Sequence, residues 1–361
     1  MIIRHEPLVR LVADIFAAAG CQAAEAGRIA TMLAGANLAG HDSHGIIRVP
    51  RYVEALQGDR VKAAQTLTTI VDGGAFALVD GNYGFGQTVG PLAVALGIER
   101  ARRHGVAVIG LRHAGHLGRI GDYPETAAAA GQVSIHLVNV AGSELVAPFG
   151  GVDRRFSTAP VAIGLPVPGE EPIILDFATS LVAEGKALVA HSGGKALPAG
   201  ALIEPDGTLS SDPRTLYGEV PPGAVPDPRK GAGALRTFGE HKGSGLALMC
   251  ELLAGAFTGS GCSGPGPRPL ANGMLSIYMA VDHFHSDDGF ARELRQYVDY
   301  VKGSRPATSG GEVLVPGEPE RRTRAKRLAE GIPLSDQAWK DILATARRVG
   351  LSEDRLRAVA N

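Results

Sequence analysis

Apolar and polar positions alternate at helical spacing at both ends of the chain and at strand spacing through its middle. Pro7–Ala19, Ala24–Ala39 and Val49–Gln57 predict three amphipathic helices near the start, and Pro319–Glu330, Asp336–Val349 and Glu353–Ala360 predict three near the end. Apolar stripes on short helices need partners, so the two ends are expected to pack together. Between them lie apolar, β-rich runs at Phe76–Val79, Val106–Leu111, Val133–Val138, Val161–Pro166, Ile173–Leu175 and Met274–Val281. Helical patterns intervene at Val89–His104, Gly121–Ala130, Ser180–Ala190, Ser244–Thr258 and Asp288–Lys302. The class is α/β in the mixed α+β sense. Residues 1–75 with 319–361 are expected to form a helical part, and 76–318 a mixed part. Pro- and Gly-dense stretches at Pro221–Gly233 and Gly259–Pro269 read as surface loops, and no internal repeat is present.

The richest chemistry sits between two of these helices, in Gly40-His41-Asp42-Ser43-His44-Gly45 followed by Arg48 and Pro50. Gly40 suits a left-handed helix end, and Pro50 is tolerable in a first helical turn, so His41 to Arg48 must cross a tight connection. A histidine there titrates near neutrality, and Arg48 can hold a carboxylate in a bidentate fork. The plainer alternative is that Asp42 and Ser43 only cap the next helix.

Composition narrows the field. The 361 residues are 45% hydrophobic with a formal net charge of −1, which suits a globular protein and offers no field to draw nucleic acid or an anionic membrane. Cys21, Cys250 and Cys262 are scattered and unpaired in sequence, against a disulfide framework or a zinc ribbon, and a reducing cytoplasm is expected. No export signal or membrane span is read.

The block Ala36–Gly45 resembles the malate/L-lactate dehydrogenase family of the non-Rossmann type, most closely its hydroxycarboxylate dehydrogenase branch. Ureidoglycolate dehydrogenase, diketogulonate reductase and sulfolactate dehydrogenase are related branches. Matching blocks follow at Gly115–Gly121, Val146–Gly151, Leu175–Ser180, Glu240–Gly243 and Leu314–Glu318, so the resemblance runs almost end to end. It implies a largely antiparallel cofactor sheet between packed helical ends, and NAD as cofactor, with NADP as the alternative. It also implies a small 2-hydroxy or 2-oxo acid substrate and a homodimer. Family members usually carry Thr-Asn-Pro where this chain has Thr158-Ala159-Pro160, so an amide that could orient the cofactor is missing.

Glycine motifs agree with the absence of a Rossmann site. Gly259–Gly264 fits GxGxxG but follows a helix and runs into Pro-Gly-Pro, and Gly84–Gly90 has the wrong spacing. His113-Ala114-Gly115-His116 follows a strand, and Gly118, Arg119 and Ile120 are expected to open a helix whose N–H groups and guanidinium meet a pyrophosphate. By resemblance, this block touches the cofactor and His116 is functional, whereas His113 reads as a polar loop residue. The resemblance also places Ile174, Leu175, Asp176, Phe177, Ala178 and Thr179 along the dinucleotide, with Asp176 accepting from ribose hydroxyls. Thr179 or Ser180 could instead cap the following helix. His241 and Lys242 offer a cation at a helix start. Asn272, Gly317 and Glu318 are added by resemblance alone. The expected catalytic set is His44 as the acid, Ser43 orienting it, Arg48 on the substrate carboxylate and His116 as a second donor, with His44 also beside the cofactor. The competing reading is a metal-dependent lyase or hydrolase built on the pairs His41/His44 and His113/His116 with His283 and His285.

Overall fold

Helices α1 (His5–Ala18), α2 (Ala23–Leu38) and α3 (Val49–Gln57) form at the start of the chain, where the apolar spacing places them. The computed structural model describes residues 1–191, 196–221, 226–266, 270–286 and 288–360. Seven strands build the central sheet: β1 (Thr68–Asp72), β2 (Phe76–Asp80), β3 (Val106–Ala114), β4 (Gln132–Ala141), β5 (Pro160–Leu165), β6 (Ile173–Ala178) and β7 (Ala271–Ala280). Their order is β1-β2-β3-β7-β4-β5-β6, and every neighbouring pair is antiparallel except β2 and β3. A parallel pair needs a crossover, which α4 (Gly86–His104) supplies. Strand β1, which the expected boundary at residue 75 places with the helices, pairs with β2 in this sheet.

Apart from two single turns at Arg214–Tyr217 and Val281–Phe284, the later helices among the described residues are α5 (Asp122–Ala129), α6 (Glu184–His191), α7 (His241–Cys250), α8 (Gly289–Lys302), α9 (Glu318–Glu330), α10 (Asp336–Arg348) and α11 (Glu353–Ala360). Helix α7 continues as a wider-wound π segment over Glu251–Ala256. Two short elements escape a periodicity search: a three-stranded sheet of Leu202–Ile203, Leu209–Ser210 and Ala234–Leu235, and the pairing of Ile2–Ile3 with Ile332–Pro333. Strands of two residues carry no pattern to read.

The ends of the chain meet as expected. Leu11, Ile15 and Phe16 of α1 and Ile29 and Leu33 of α2 share one core with Trp339 and Ile342 of α10 and Leu356 of α11. A second core fills the space between the sheet and α4, with Val89, Val94, Ile109, Leu111, Tyr123 and Tyr278. Leu38, Ile46 and Val49, in and beside the connection from α2 to α3, are buried in the first of these cores and anchor it there.

Candidate active site

The connection is built from two 3-10 turns, Asp42–His44 and Ile46–Arg48, after Gly40 closes α2 at φ +85°. Asn37, buried near the end of α2, staples it: its Oδ1 accepts from the Ile46 N–H at 2.8 Å, and its Nδ2 donates to Asp42 Oδ1 at 2.6 Å. Gly45 is required here, since a Cβ would lie 2.1 Å from Asn37 Oδ1. Asp42 also receives the Arg327 guanidinium from α9 at 2.6 and 3.0 Å, so it is a brace and not an acid.

This brace presents His44 to His116. The two imidazoles stack with centroids 5.5 Å apart and planes 12° from parallel. Ser43 Oγ lies 3.0 Å from His44 Nδ1, and the Tyr52 hydroxyl lies 2.5 Å from His116 Nδ1, which leaves the Nε2 atoms to meet a ligand. Burial, with Arg48 adding repulsion, lowers the His44 pKa to about 3, and the same causes hold His116 well below the usual range. Both rings are therefore neutral at physiological pH. Arg48 donates from Nε to the Ser43 carbonyl at 2.6 Å, and its Nη2 lies 3.8 Å from Glu184 of α6. Tyr217 in turn donates to Glu184 at 3.0 Å.

His44 and His116 line a small cavity with Gly118, Ile120, Val138, Val140, Thr158, Pro160 and Asn272. Asn272 stands at a bulge in β7, where its Oδ1 accepts from Leu117 N–H at 2.8 Å and its Nδ2 donates to the Asn139 carbonyl at 2.7 Å. It thus pins the His116 loop to the sheet.

Other expected groups are placed differently. Helix α5 begins at Asp122, not at Gly118, and the Gly121 N–H is taken by Asp176 Oδ2 at 2.8 Å. Arg119 is buried, donating to Asp122 and Glu125 at 2.8 Å each, so its guanidinium is not available to a pyrophosphate. Burial raises the Asp122 carboxyl to about 6, against the pull of Arg119. Asp176 is itself nearly enclosed, its carboxyl raised first by burial, with His41 Nδ1 and Arg119 Nε each 4.0 Å away. These contacts all use its Oδ2.

Ile174, Leu175, Asp176, Phe177 and Ala178 lie on β6, an edge strand that pairs with β5 and with no other strand among the described residues. Neither Thr179 nor Ser180 caps a helix: their hydroxyls donate to Thr158 and Val182 carbonyls at 3.1 and 2.8 Å, and α6 starts at Glu184. His241 and Lys242 are exposed in the first turn of α7 and not ahead of it. Gly317, at φ +94°, precedes α9, and the Pro316 carbonyl accepts from Ile174 N–H at 3.3 Å. Glu318 pairs with Lys302 and accepts from Val315 N–H at 2.9 Å, which commits its carboxylate to the turn.

A family model described as malate/L-lactate dehydrogenase matches residues 3–343. The chain belongs to the malate/L-lactate dehydrogenase family. It is 38% identical to hydroxycarboxylate dehydrogenase B of Escherichia coli strain K12 over 98% of this chain and 96% of that protein. It is 34% identical to an L-lactate dehydrogenase of Cupriavidus necator over 95% and 96% of the two chains. A solved structure described as a putative malate/lactate dehydrogenase from E. coli superposes with a TM-score of 0.91 at 37% identity, covering 100% of this chain and 98% of the other. The protein is therefore a malate/lactate-type oxidoreductase.

At Ala159, where the resemblance leads one to expect asparagine, the backbone is unusual. Ala159 is fully buried at φ +25°, a region that asparagine enters more readily than alanine. Four residues of the site have no motif to announce them: Tyr52 and Gln87, which hold His116, Glu184, which faces Arg48, and Glu320, which faces His41 at 3.4 Å. Tyr52 was within reach of sequence reasoning, since it lies one helical turn beyond Arg48.

Proposed function

We propose that the protein interconverts a small 2-hydroxycarboxylate and its 2-oxo acid with NAD as the redox partner, NADP being the alternative. The observation that carries this reading is the stacked, neutral His44/His116 pair, which lines one cavity together with Gly118, Ile120, Val138, Val140 and Asn272. The residues present fit a nicotinamide: Ile120, Val138, Val140 and Pro160 suit a planar ring, and Gly118 is open where a Cβ would come within 3.0 Å of Gln87 Nε2. When bound, the nicotinamide accepts or returns the hydride. The outer edge of β6 from Leu175 to Ala178, beyond the Ile174 N–H that Pro316 takes and followed by Thr179, would hold the rest of the dinucleotide, with Asp176 Oδ1 on a ribose hydroxyl.

Arg48 binds the substrate carboxylate and orients its C2 toward the cavity. In oxidation the alcohol O–H bond breaks as His44 Nε2 takes the proton, the carbon gives up its hydride, and the oxygen lone pair becomes the second carbonyl bond. In reduction His44 returns that proton to the nascent alkoxide. Burial is the main cause of the low His44 pKa, and a bound carboxylate offsets the Arg48 charge that adds to it, which moves the imidazole pKa upward. Ser43 holds the His44 ring at Nδ1, and His116 supplies a second polar contact to the same oxygen.

A metal-dependent lyase or hydrolase has less support. His41 turns to Asp176 and Glu320, His113 to Asp80 at 2.9 Å, and among the described residues no group of three His, Cys, Asp or Glu side chains is placed to hold a metal ion. We also propose a homodimer. Leu248, Met249, Leu252 and Phe257 lie along α7 and its continuation, each at least 44% exposed, an apolar stripe that a second copy would cover. The test of the function is a panel of 2-hydroxy acids assayed with NAD⁺ and NADP⁺, beside metal analysis of the purified protein.

A further inference from the structure

Gln87 is fully buried on α4 and donates from one amide nitrogen to two oxygens, the His116 carbonyl and the Tyr52 hydroxyl, each at 3.2 Å. A carbonyl oxygen only accepts, so the amide cannot be turned round without setting two acceptors against each other. Its own Oε1 meets no partner among the described residues. The Tyr52 oxygen therefore accepts from Gln87, and its single proton points to the nearest acceptor. That acceptor is His116 Nδ1 at 2.5 Å, while the His116 carbonyl lies 3.5 Å from the same hydroxyl. A ring nitrogen that accepts carries no proton, so a neutral His116 keeps its proton on Nε2.

We propose that the Gln87–Tyr52 relay locks His116 as its Nε2–H tautomer, making His116 the fixed hydrogen-bond donor to the substrate's C2 oxygen and leaving proton transfer to His44. The two stacked rings then divide the work. His116 polarises the carbonyl and steadies the alkoxide, while His44, whose Nδ1 faces a hydroxyl able to donate or accept, can gain and lose a proton. Tyr52 is a positioning residue: it sits beneath His116, edge-on to its ring at 5.9 Å, and among Phe16 and Phe85. The assignment of roles rests on the proposed 2-hydroxy acid chemistry, whereas the tautomer itself does not.

The test is ¹⁵N NMR of histidine-labelled protein at neutral pH, with His116→Asn to assign the ring signals. Wild type should show His116 with a protonated Nε2 and a bare Nδ1. Tyr52→Phe keeps the aromatic packing and removes only the hydroxyl, so it should let the tautomers mix. The variant should also lower kcat about tenfold to a hundredfold, as expected for an imidazole freed into the wrong tautomer, with KM for the cofactor within about twofold. Gln87→Met should mix the tautomers as well, because the hydroxyl is then free to accept from Nδ1–H. A wild-type His116 protonated on Nδ1, or a tautomer unmoved in both variants, would overturn the proposal. Failure to turn over any 2-hydroxy acid would instead remove the assigned roles and leave the tautomer result standing.

Discussion

His136 allows a quantitative test of how the sheet beneath the site holds its histidines neutral. Its ring lies in β4, two residues before Val138 of the cavity wall, fully buried beside Tyr123 and Tyr278. Its nitrogens meet Ser276 Oγ at 2.8 Å and Ser134 Oγ at 3.0 Å, both partners able to serve a neutral ring. Burial lowers its pKa from 6.5 to about 3. Between these values the unfolded chain binds a proton that the folded chain does not. Stability from this residue is therefore fully present above pH 6.5 and falls as the pH drops toward 3. At about 1.36 kcal/mol per pKa unit, moving from pH 7 to pH 5 should cost about 2 kcal/mol at this one site. His136→Gln keeps a polar side chain and removes the titration. Urea unfolding of both proteins at the two pH values isolates the term, since His44 and His116 titrate alike in each and cancel. Wild type should lose about 2 kcal/mol more than the variant on acidification, and equal losses would refute the argument.

Other outcomes follow from the site. His44→Ala should lower kcat by about 10² to 10⁴ with cofactor affinity within a few-fold, and an inert His44→Ala beside a dead His116→Ala would reverse the two roles. Glu184→Gln removes the anion 3.8 Å from Arg48, so KM for a 2-hydroxy acid should fall about threefold or more in steady-state assays, whereas a raised KM would place Glu184 on the substrate. Sedimentation across nanomolar to micromolar concentration should show a dimer, and Leu252→Glu with Phe257→Glu should give monomers; dimers unaffected by these changes would move the interface elsewhere.

Much of this was legible in the sequence because it depends on local pattern. The apolar spacing of Leu11, Ile15, Leu33 and Ile342 placed the terminal helices and their shared core, and Gly40 and Pro50 bounded the connection that carries His44 and Arg48. What escaped depends on contacts between distant segments. Arg119 reads as a free cation beside a glycine, yet folding encloses it with Asp122 and Glu125. By composition alone Thr179 or Ser180 could cap a helix, but the fold brings the Thr158 and Val182 carbonyls to their hydroxyls. Glu184 and Gln87 join the site across 136 and 29 residues of sequence from Arg48 and His116, where no spacing rule reaches. The non-Rossmann sheet was visible only through resemblance, since antiparallel strands leave no glycine fingerprint.

The central claim is 2-hydroxy acid oxidation with a nicotinamide cofactor at the His44/His116 pair. Its most direct test follows NADH or NADPH formation on mixing the purified, metal-free protein with lactate, malate and other 2-hydroxy acids, in wild type and in His44→Ala. Turnover of at least one 2-hydroxy acid, lost in the variant and unaffected by chelators, is the expected result. No nicotinamide reduction with any of them under either cofactor would contradict it.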